Sequence, residues 1–184
     1  MSDVPVGIVL SGGLDSSLVA AVAHEAAKRA EQPVPDCWTV AESEDNPDWQ
    51  AAEVVASTLD LKHHQYILPK DSFESTLPDL AWHGEDLDVS VLFFQPLFKK
   101  MREQVTVGLC GQGADELFGG YARFRKEGAK NNLKKEVRDL VKRLPERERK
   151  ITEFFGLELS CPYLAEDFIE VAEKFSEEER IGKM

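Results

Sequence analysis

Val4-Pro5-Val6-Gly7-Ile8-Val9-Leu10-Ser11-Gly12-Gly13-Leu14-Asp15-Ser16-Ser17 is an apolar run that breaks into two glycines, then into hydroxyls and an acid. A short β-branched run bounded by glycines reads as a buried strand. Gly12 and Gly13 lack a Cβ and can bring backbone N–H groups close to phosphate oxygens. Ser11, Ser16 and Ser17 add hydroxyl donors, and a helix starting near Asp15 points its positive end at the same place. Asp15 would repel a phosphate unless a cation stood between them, so the loop predicts Mg2+. No lysine follows a second glycine, which excludes a Walker A loop.

The pattern recurs at Leu109-Cys110-Gly111-Gln112-Gly113-Ala114-Asp115-Glu116-Leu117-Phe118-Gly119-Gly120-Tyr121. Residues 105–109 read as another buried strand, Gly111 and Gly113 as its turn, and Asp115 and Glu116 as the first turn of a helix, where negative charge is favourable. Parallel α/β sheets place ligands at the C-terminal ends of strands. If the two strands are neighbours, Asp15 and Asp115 can share one cation.

Around these loops strand and helix alternate. Strands are expected at 4–10, 35–40, 64–68 and 105–109, with helices at 15–29, 72–83 and 90–103. A further helix runs from the N-cap Asn46 and Pro47 to about 60. Leu14, Leu18, Val22 and Ala26 are expected as the core stripe of the first helix. The fold class is α/β, a three-layer domain with a mainly parallel sheet. Residues 1–120 form its nucleotide-binding core. From Tyr121 onward no strand pattern appears, so 121–184 reads as a helical C-terminal region of the same domain.

At 184 residues the chain can bury roughly 70% of its unfolded surface. Cys37, Cys110 and Cys161 have no CxxC spacing, which suggests reduced thiols and neither a disulfide frame nor a zinc site. No signal peptide or membrane-length apolar stretch is present, so a cytoplasmic location is expected. A net charge of −12 argues against nucleic acid, and the basic run 134–150 is interleaved with Glu as on a solvated helical face. Glu177-Glu178-Glu179 reads as a solvated acidic turn. His63 and His64, adjacent at a strand entrance, point to opposite faces and read as packing residues, not a chelate. Cys110 reads as a small residue beside the nucleotide, since only a helix N-terminus is near enough to activate it.

The first loop resembles the pyrophosphate-binding loop of the N-type ATP pyrophosphatases. The second resembles the later signature of the asparagine synthetase synthetase domain, a family shared with β-lactam synthetase. Trp38-Thr39-Val40, residues 51–56, His63-His64 and Gly156-Leu157-Glu158…Pro162-Tyr163-Leu164 follow in the same order, so the resemblance covers about residues 4–183. It implies a sheet of the adenine-nucleotide-hydrolase type that uses ATP and Mg2+. Asp15 and Asp115 would be the catalytic and metal-binding acids, with Ser11, Gly12, Gly13 and Ser16 at the pyrophosphate. Adenosine would be read through backbone at Leu10, Val40, Cys110 and Gly111. The implied reaction adenylates a carboxylate such as aspartate, and ammonia then displaces AMP to give an amide.

Departures from the family pattern carry information too. Gln112 stands where the family's asparagine synthetases carry a Glu thought to handle the proton of the attacking ammonia. A Gln at this catalytic position hydrogen-bonds but cannot act as a base. The family's Arg-containing segment has Arg147-Glu148-Arg149-Lys150 as its counterpart, which makes Arg147, with Glu116, a candidate substrate contact. Its usual Arg after Glu158-Leu159 is Ser160. The family's pyrophosphate lysine lies downstream of a segment resembling residues 179–184, and Met1 stands ten residues before Ser11. A standalone synthetase domain is therefore expected, without that lysine or a glutaminase domain, taking free ammonia or ammonia from a separate glutaminase partner. Two readings stay open. The intact acid loops favour a ligase; Gln112 and the missing lysine favour a catalytically weakened ATP- or AMP-binding module or regulatory subunit.

Overall fold

In the computed structural model, which describes residues 3–79, 81–82, 89–121, 149–176 and 179–180, the opening apolar run becomes strand β1 (Val6–Val9). It leads into α1 (Leu14–Arg29), β2 (Asp36–Ala41), α2 (Pro47–Thr58), β3 (His63–Ile67), α3 (Ser72–Asp79), α4 (Val89–Arg102), β4 (Val107–Leu109) and α5 (Ala114–Phe118). A helical stretch at 149–155 (α6), β5 (Glu158–Ser160), a 3₁₀ turn (Pro162–Leu164) and α7 (Glu166–Ala172) follow. Local chemistry explains the start of α2. Asn46 Oδ1 accepts from Asp48 N at 2.8 Å and Trp49 N at 3.3 Å, and Pro47 takes the first helical position, where a missing N–H is harmless.

The five strands are all parallel, in the order β3-β2-β1-β4-β5. Val6, Gly7 and Ile8 lie opposite Val107, Gly108 and Leu109, so β1 and β4 are neighbours. The chain winds outward from β1 to β3, then returns to the other side of β1. Strand order therefore reverses between β1 and β4, and a crevice opens at their C-terminal ends, the usual ligand position in such sheets. Both glycine-acid loops leave the sheet there.

Alternation along the strands makes the two faces. Ile8, Leu10 and Cys37 pack with Ala20 of α1 and Ala52 and Ala56 of α2. Val9, Trp38 and Val40 pack with Leu97, Phe98 and Met101 of α4 and Ile151 of α6 on the opposite side. Gly7 makes room for the Trp38 indole, whose Cε3 lies only 2.9 Å from where a Gly7 Cβ would stand. Cys37, Cys110 and Cys161 form no disulfide. Burial and then the Asp36 charge push the Cys37 thiol up to about 12.

Two expectations are corrected. Leu14, Leu18 and Val22 do not face the core; they are 84%, 50% and 59% exposed, and Ala26 is exposed with them, while Ser16, Val19 and Ala20 are buried. α1 turns its small residues to the sheet because it lies hard against the second loop, as the site geometry shows. The region after Tyr121 is not wholly helical, because β5 adds a fifth strand, with Leu159 opposite Gly108. Three residues with polar ends are too few to show a period, and β5 owes its strand form to β4. His83, the basic run before residue 149 and Glu177-Glu178 lie outside the described residues.

His63 and His64 separate as adjacent strand residues do. His64 stacks on Trp38, centroids 4.4 Å apart, and its Nε2 meets Asp36 Oδ2 at 2.7 Å; Lys62 Nζ reaches the same oxygen at 2.9 Å. Burial works to raise the Asp36 pKa, but the hydrogen bonds from His64 and Lys62 outweigh it and hold the carboxyl below its ordinary range. A depressed folded pKa contributes stability above the unfolded value of about 3.9, lost as pH falls through the folded value. Asp36→Asn is expected to cost about 1 kcal/mol at neutral pH. The gap should close below about pH 4 in urea unfolding curves. A gap unchanged from neutral to acid pH would refute this role.

Candidate functional site

The first loop is held shut by its own serines. Ser16 Oγ accepts from Ser11 N at 3.2 Å, donates to Gly13 O at 3.2 Å and lies 3.0 Å from Ser11 Oγ. Ser16 is buried, so it braces the loop, whereas Gly13 is exposed at its rim. Ser17 Oγ is buried without a hydrogen-bond partner among the described residues. Gly13, the N-cap of α1, brings no side-chain hydrogen bond, so the first-turn N–H groups of a sixteen-residue helix have no side-chain cap. Gly12 has φ +75°, and a Cβ there would stand 2.6 Å from Ala51 Cβ and collide with the backbone of Ala51 and Ala52. The loop is wedged against α2.

The second loop touches the first backbone to backbone. A Cβ on Gly111 would lie 2.9 Å from Ser16 N and 3.1 Å from Ser16 Cα. This contact explains why α1 shows small residues inward. Gly113, at φ +97°, packs on Leu164, and Gly119, at φ +65°, turns the chain so that Gly120 lies against the Asp115 carboxylate. Gln112 sits half-buried between the two glycines of the turn.

Asp15, Asp115 and Glu116 are thus brought into electrostatic contact from positions a hundred residues apart. Burial, then the charges of Asp115 and Glu116, push the Asp15 carboxyl above its ordinary range. All three causes disfavour its charge, and a bound cation would relieve two of them. Asp15 and Asp115 fit a Mg2+ on this count. Among the described residues no three His, Cys, Asp or Glu side chains converge as a protein-only cage, and Mg2+ typically takes one or two carboxylates with phosphate oxygens and water.

Glu116 is 2% exposed; the Tyr121 hydroxyl donates to its Oε1 at 2.5 Å. Tyr163, in the 3₁₀ turn after β5, donates to the Asp15 carbonyl at 3.3 Å and meets Phe168 edge-on at 5.3 Å. With Leu164 beneath Gly113, that turn fastens both loops. The proline before Tyr163 was the available sequence signal.

The backbone positions expected at adenosine are partly occupied by the sheet. Leu10 N donates to Trp38 O at 2.9 Å, Cys110 N donates to Ser160 O at 2.9 Å, and Val40 is buried opposite Tyr66. The Leu10 carbonyl accepts from Thr39 Oγ1 at 2.6 Å, and His63 Nε2 lies 2.7 Å from the same hydroxyl. Thr39 has one proton, used on Leu10, so His63 Nε2 must be the donor. A lone buried hydroxyl in an apolar strand was the signal for this link. Arg147 lies outside the described residues. A cavity of about 1090 Å3 lined by Ala23, Ala27, Pro35 and Val105 runs from the N-terminal ends of the strands as far as Leu109 and Ser160, and none of Asp15, Asp115 and Glu116 lines it. Among the described residues no helix is long and apolar enough to cross a membrane.

Comparison with known proteins points the same way. A family model described as Asparagine synthase matches residues 1–150. A glutamine-hydrolyzing asparagine synthetase 1 from Arabidopsis thaliana is 36% identical over 196 residues, covering all of this chain and 34% of that protein. A glutamine-hydrolyzing asparagine synthetase from Asparagus officinalis is also 36% identical over 196 residues, covering all of this chain and 33% of its own length. The chain spans about a third of these relatives. Among solved structures, a U34-tRNA thiolase from Methanococcus maripaludis shares the fold, with TM-score 0.51 and 15% identity over 94% of this chain and 56% of that one.

Proposed function

Because the chain belongs to the asparagine synthase family, we propose that it forms the nucleotide-binding part of an ATP-dependent amide synthetase, releasing AMP and pyrophosphate. The carboxylate is a small molecule such as aspartate, and the nucleophile is ammonia, free or passed on by a separate glutaminase. The observation that carries this reading is the meeting of the two acid loops at the strand-order reversal between β1 and β4. The uncapped first-turn N–H groups of α1 hold the leaving pyrophosphate, with Gly13 allowing its close approach. Asp15 and Asp115 hold Mg2+, which when bound offsets charge on the phosphate oxygens. The backbone around Leu10, Val40 and Cys110-Gly111 positions the nucleoside. Cysteines outside any disulfide suit a reducing cytoplasm.

Incubation with Mg2+, ATP, aspartate and ammonium should release AMP and pyrophosphate in equal amounts. ADP and phosphate as products would overturn the reading. ATP bound but uncleaved would instead support a binding module, the reading that the neutral Gln112 favours.

A further inference from the structure

We propose that Cys110 and Cys161 close into a reversible disulfide across the ends of β4 and β5, and that closing it lowers the affinity for ATP. The effect on ATP rests on the reading of Cys110-Gly111 as backbone that positions the nucleoside; the disulfide itself does not.

The register sets the two cysteines side by side. Leu109 lies opposite Ser160 in the parallel β4–β5 pair, and Cys110 N donates to Ser160 O at 2.9 Å. The pairing therefore runs on to the next residue of each strand, Cys110 and Cys161. Alternation turns both side chains to the α4 face, where Cys110 belongs to the core cluster and Cys161 packs against it. Adjacent strands lie about 4.8 Å apart, within the range of about 4.4–6.8 Å between Cα atoms that a disulfide accepts. Cys37 is no rival partner. It faces the α1–α2 side of the sheet and is wholly buried, and burial with the Asp36 charge pushes its thiol up to about 12.

The oxidant is hydrogen peroxide. Cys161 is half-buried and Cys110 buried, so Cys161 reacts first. Its sulfur takes one oxygen as the O–O bond breaks, giving a sulfenic acid and one water. The Cys110 sulfur then displaces that oxygen: the S–S bond forms, the S–O bond breaks, and a second water leaves. Two thiols have lost two electrons and two protons, and the peroxide has become two waters. A dithiol reductant reverses the change by exchange.

One bond reaches both loops. A disulfide holds its Cβ atoms about 3.8 Å apart, so closure draws the two strand ends together by roughly 1 Å. β4 lies between β1 and β5, so the pull takes Cys110 and Gly111 away from β1 and widens the crevice. Gly111 is the residue in backbone contact with Ser16 of the first loop. Cys161 leads into the turn whose Tyr163 hydroxyl bonds the Asp15 carbonyl and whose Leu164 packs on Gly113.

Peroxide should take the reduced protein from three titratable thiols to one, with no link between chains on a non-reducing gel. A non-reducing peptide map should join the Cys110 and Cys161 peptides. The Kd for ATP should rise about 10-fold on oxidation and return with dithiothreitol. Coupling is reciprocal, so saturating Mg2+ and ATP should shift the dithiol–disulfide balance in a glutathione buffer about 10-fold toward the dithiol. Cys161→Ser should bind ATP as the natural protein does and keep that affinity after peroxide. If it does not fold, the peptide map and the ATP-dependent shift of the natural protein decide the matter. An unchanged thiol count, a bond to Cys37 or a bond between chains overturns the pair. A Cys110–Cys161 bond that leaves ATP affinity unchanged overturns the coupling. No ATP binding by the reduced protein overturns the nucleotide reading and the coupling with it, while the peptide map still decides the pair.

Discussion

Asp15→Asn is expected to weaken Mg2+-dependent ATP binding about 100-fold, or ~2.7 kcal/mol, while making the ligand-free protein more stable. The two effects have opposite signs because one side chain serves opposite ends. In the ligand-free fold the Asp15 carboxyl is partly buried and feels the charges of Asp115 and Glu116, and burial and then these charges raise its pKa. A raised folded pKa means that its contribution to stability is fully present below the unfolded value of about 3.9 and is lost as pH rises through the folded value. At neutral pH the ionised group therefore costs stability, and a neutral Asn relieves that cost. Once Mg2+ and ATP arrive, the same charge is what holds the cation. Thermal melts with and without Mg2+ and ATP should show a higher midpoint without ligand and almost no ligand-induced rise. A variant less stable in both conditions, or one with the natural ligand shift, would refute the placement.

What the sequence disclosed depended on how local each signal was. The runs into Ser17 and Tyr121 are contiguous, and each alone specifies a strand end, a glycine turn and an acid. The one non-local step, that β1 and β4 are neighbours, appears in the Val6–Val107 register. The phase of α1 is ambiguous in sequence because nearly every position from Leu18 to Ala27 is apolar, so several faces are equally eligible. The choice is made by Gly111, nearly a hundred residues on, which presses on Ser16 and admits only small side chains. β5 carries no local signal for a related reason, since its three residues form a strand only where β4 offers an edge. Thr39 and Tyr163 are polar groups whose bonds reach 29 and 148 residues along the chain, to Leu10 and Asp15. No pattern within a short window announces such partners.

Gly12→Ala and Gly13→Ala should part company, although the two glycines are adjacent. At Gly12 the backbone lies at φ +75°, where an alanine costs roughly 1–2 kcal/mol by itself. Its methyl would also collide with the backbone of Ala51 and Ala52, and Ala52 is fully buried beneath β1, so α2 cannot yield. The loop must move instead, taking the Ser11–Ser16 pair and the start of α1 with it. Stability should fall by about 2–4 kcal/mol, and ATP binding should be lost with it. At Gly13 the backbone is extended at φ −66°, and a Cβ would meet only Ser11 Oγ, at 3.5 Å. Gly13→Ala should therefore change stability by less than about 0.5 kcal/mol. The new methyl would nonetheless stand over the exposed α1 N-terminus and hold a phosphate away from its N–H groups, weakening ATP binding about 10-fold. Urea unfolding paired with ATP titration of both variants makes the comparison. If Gly13→Ala binds ATP as the natural protein does, the phosphates do not lie over this rim. If Gly12→Ala folds and binds normally, the loop is not wedged on α2.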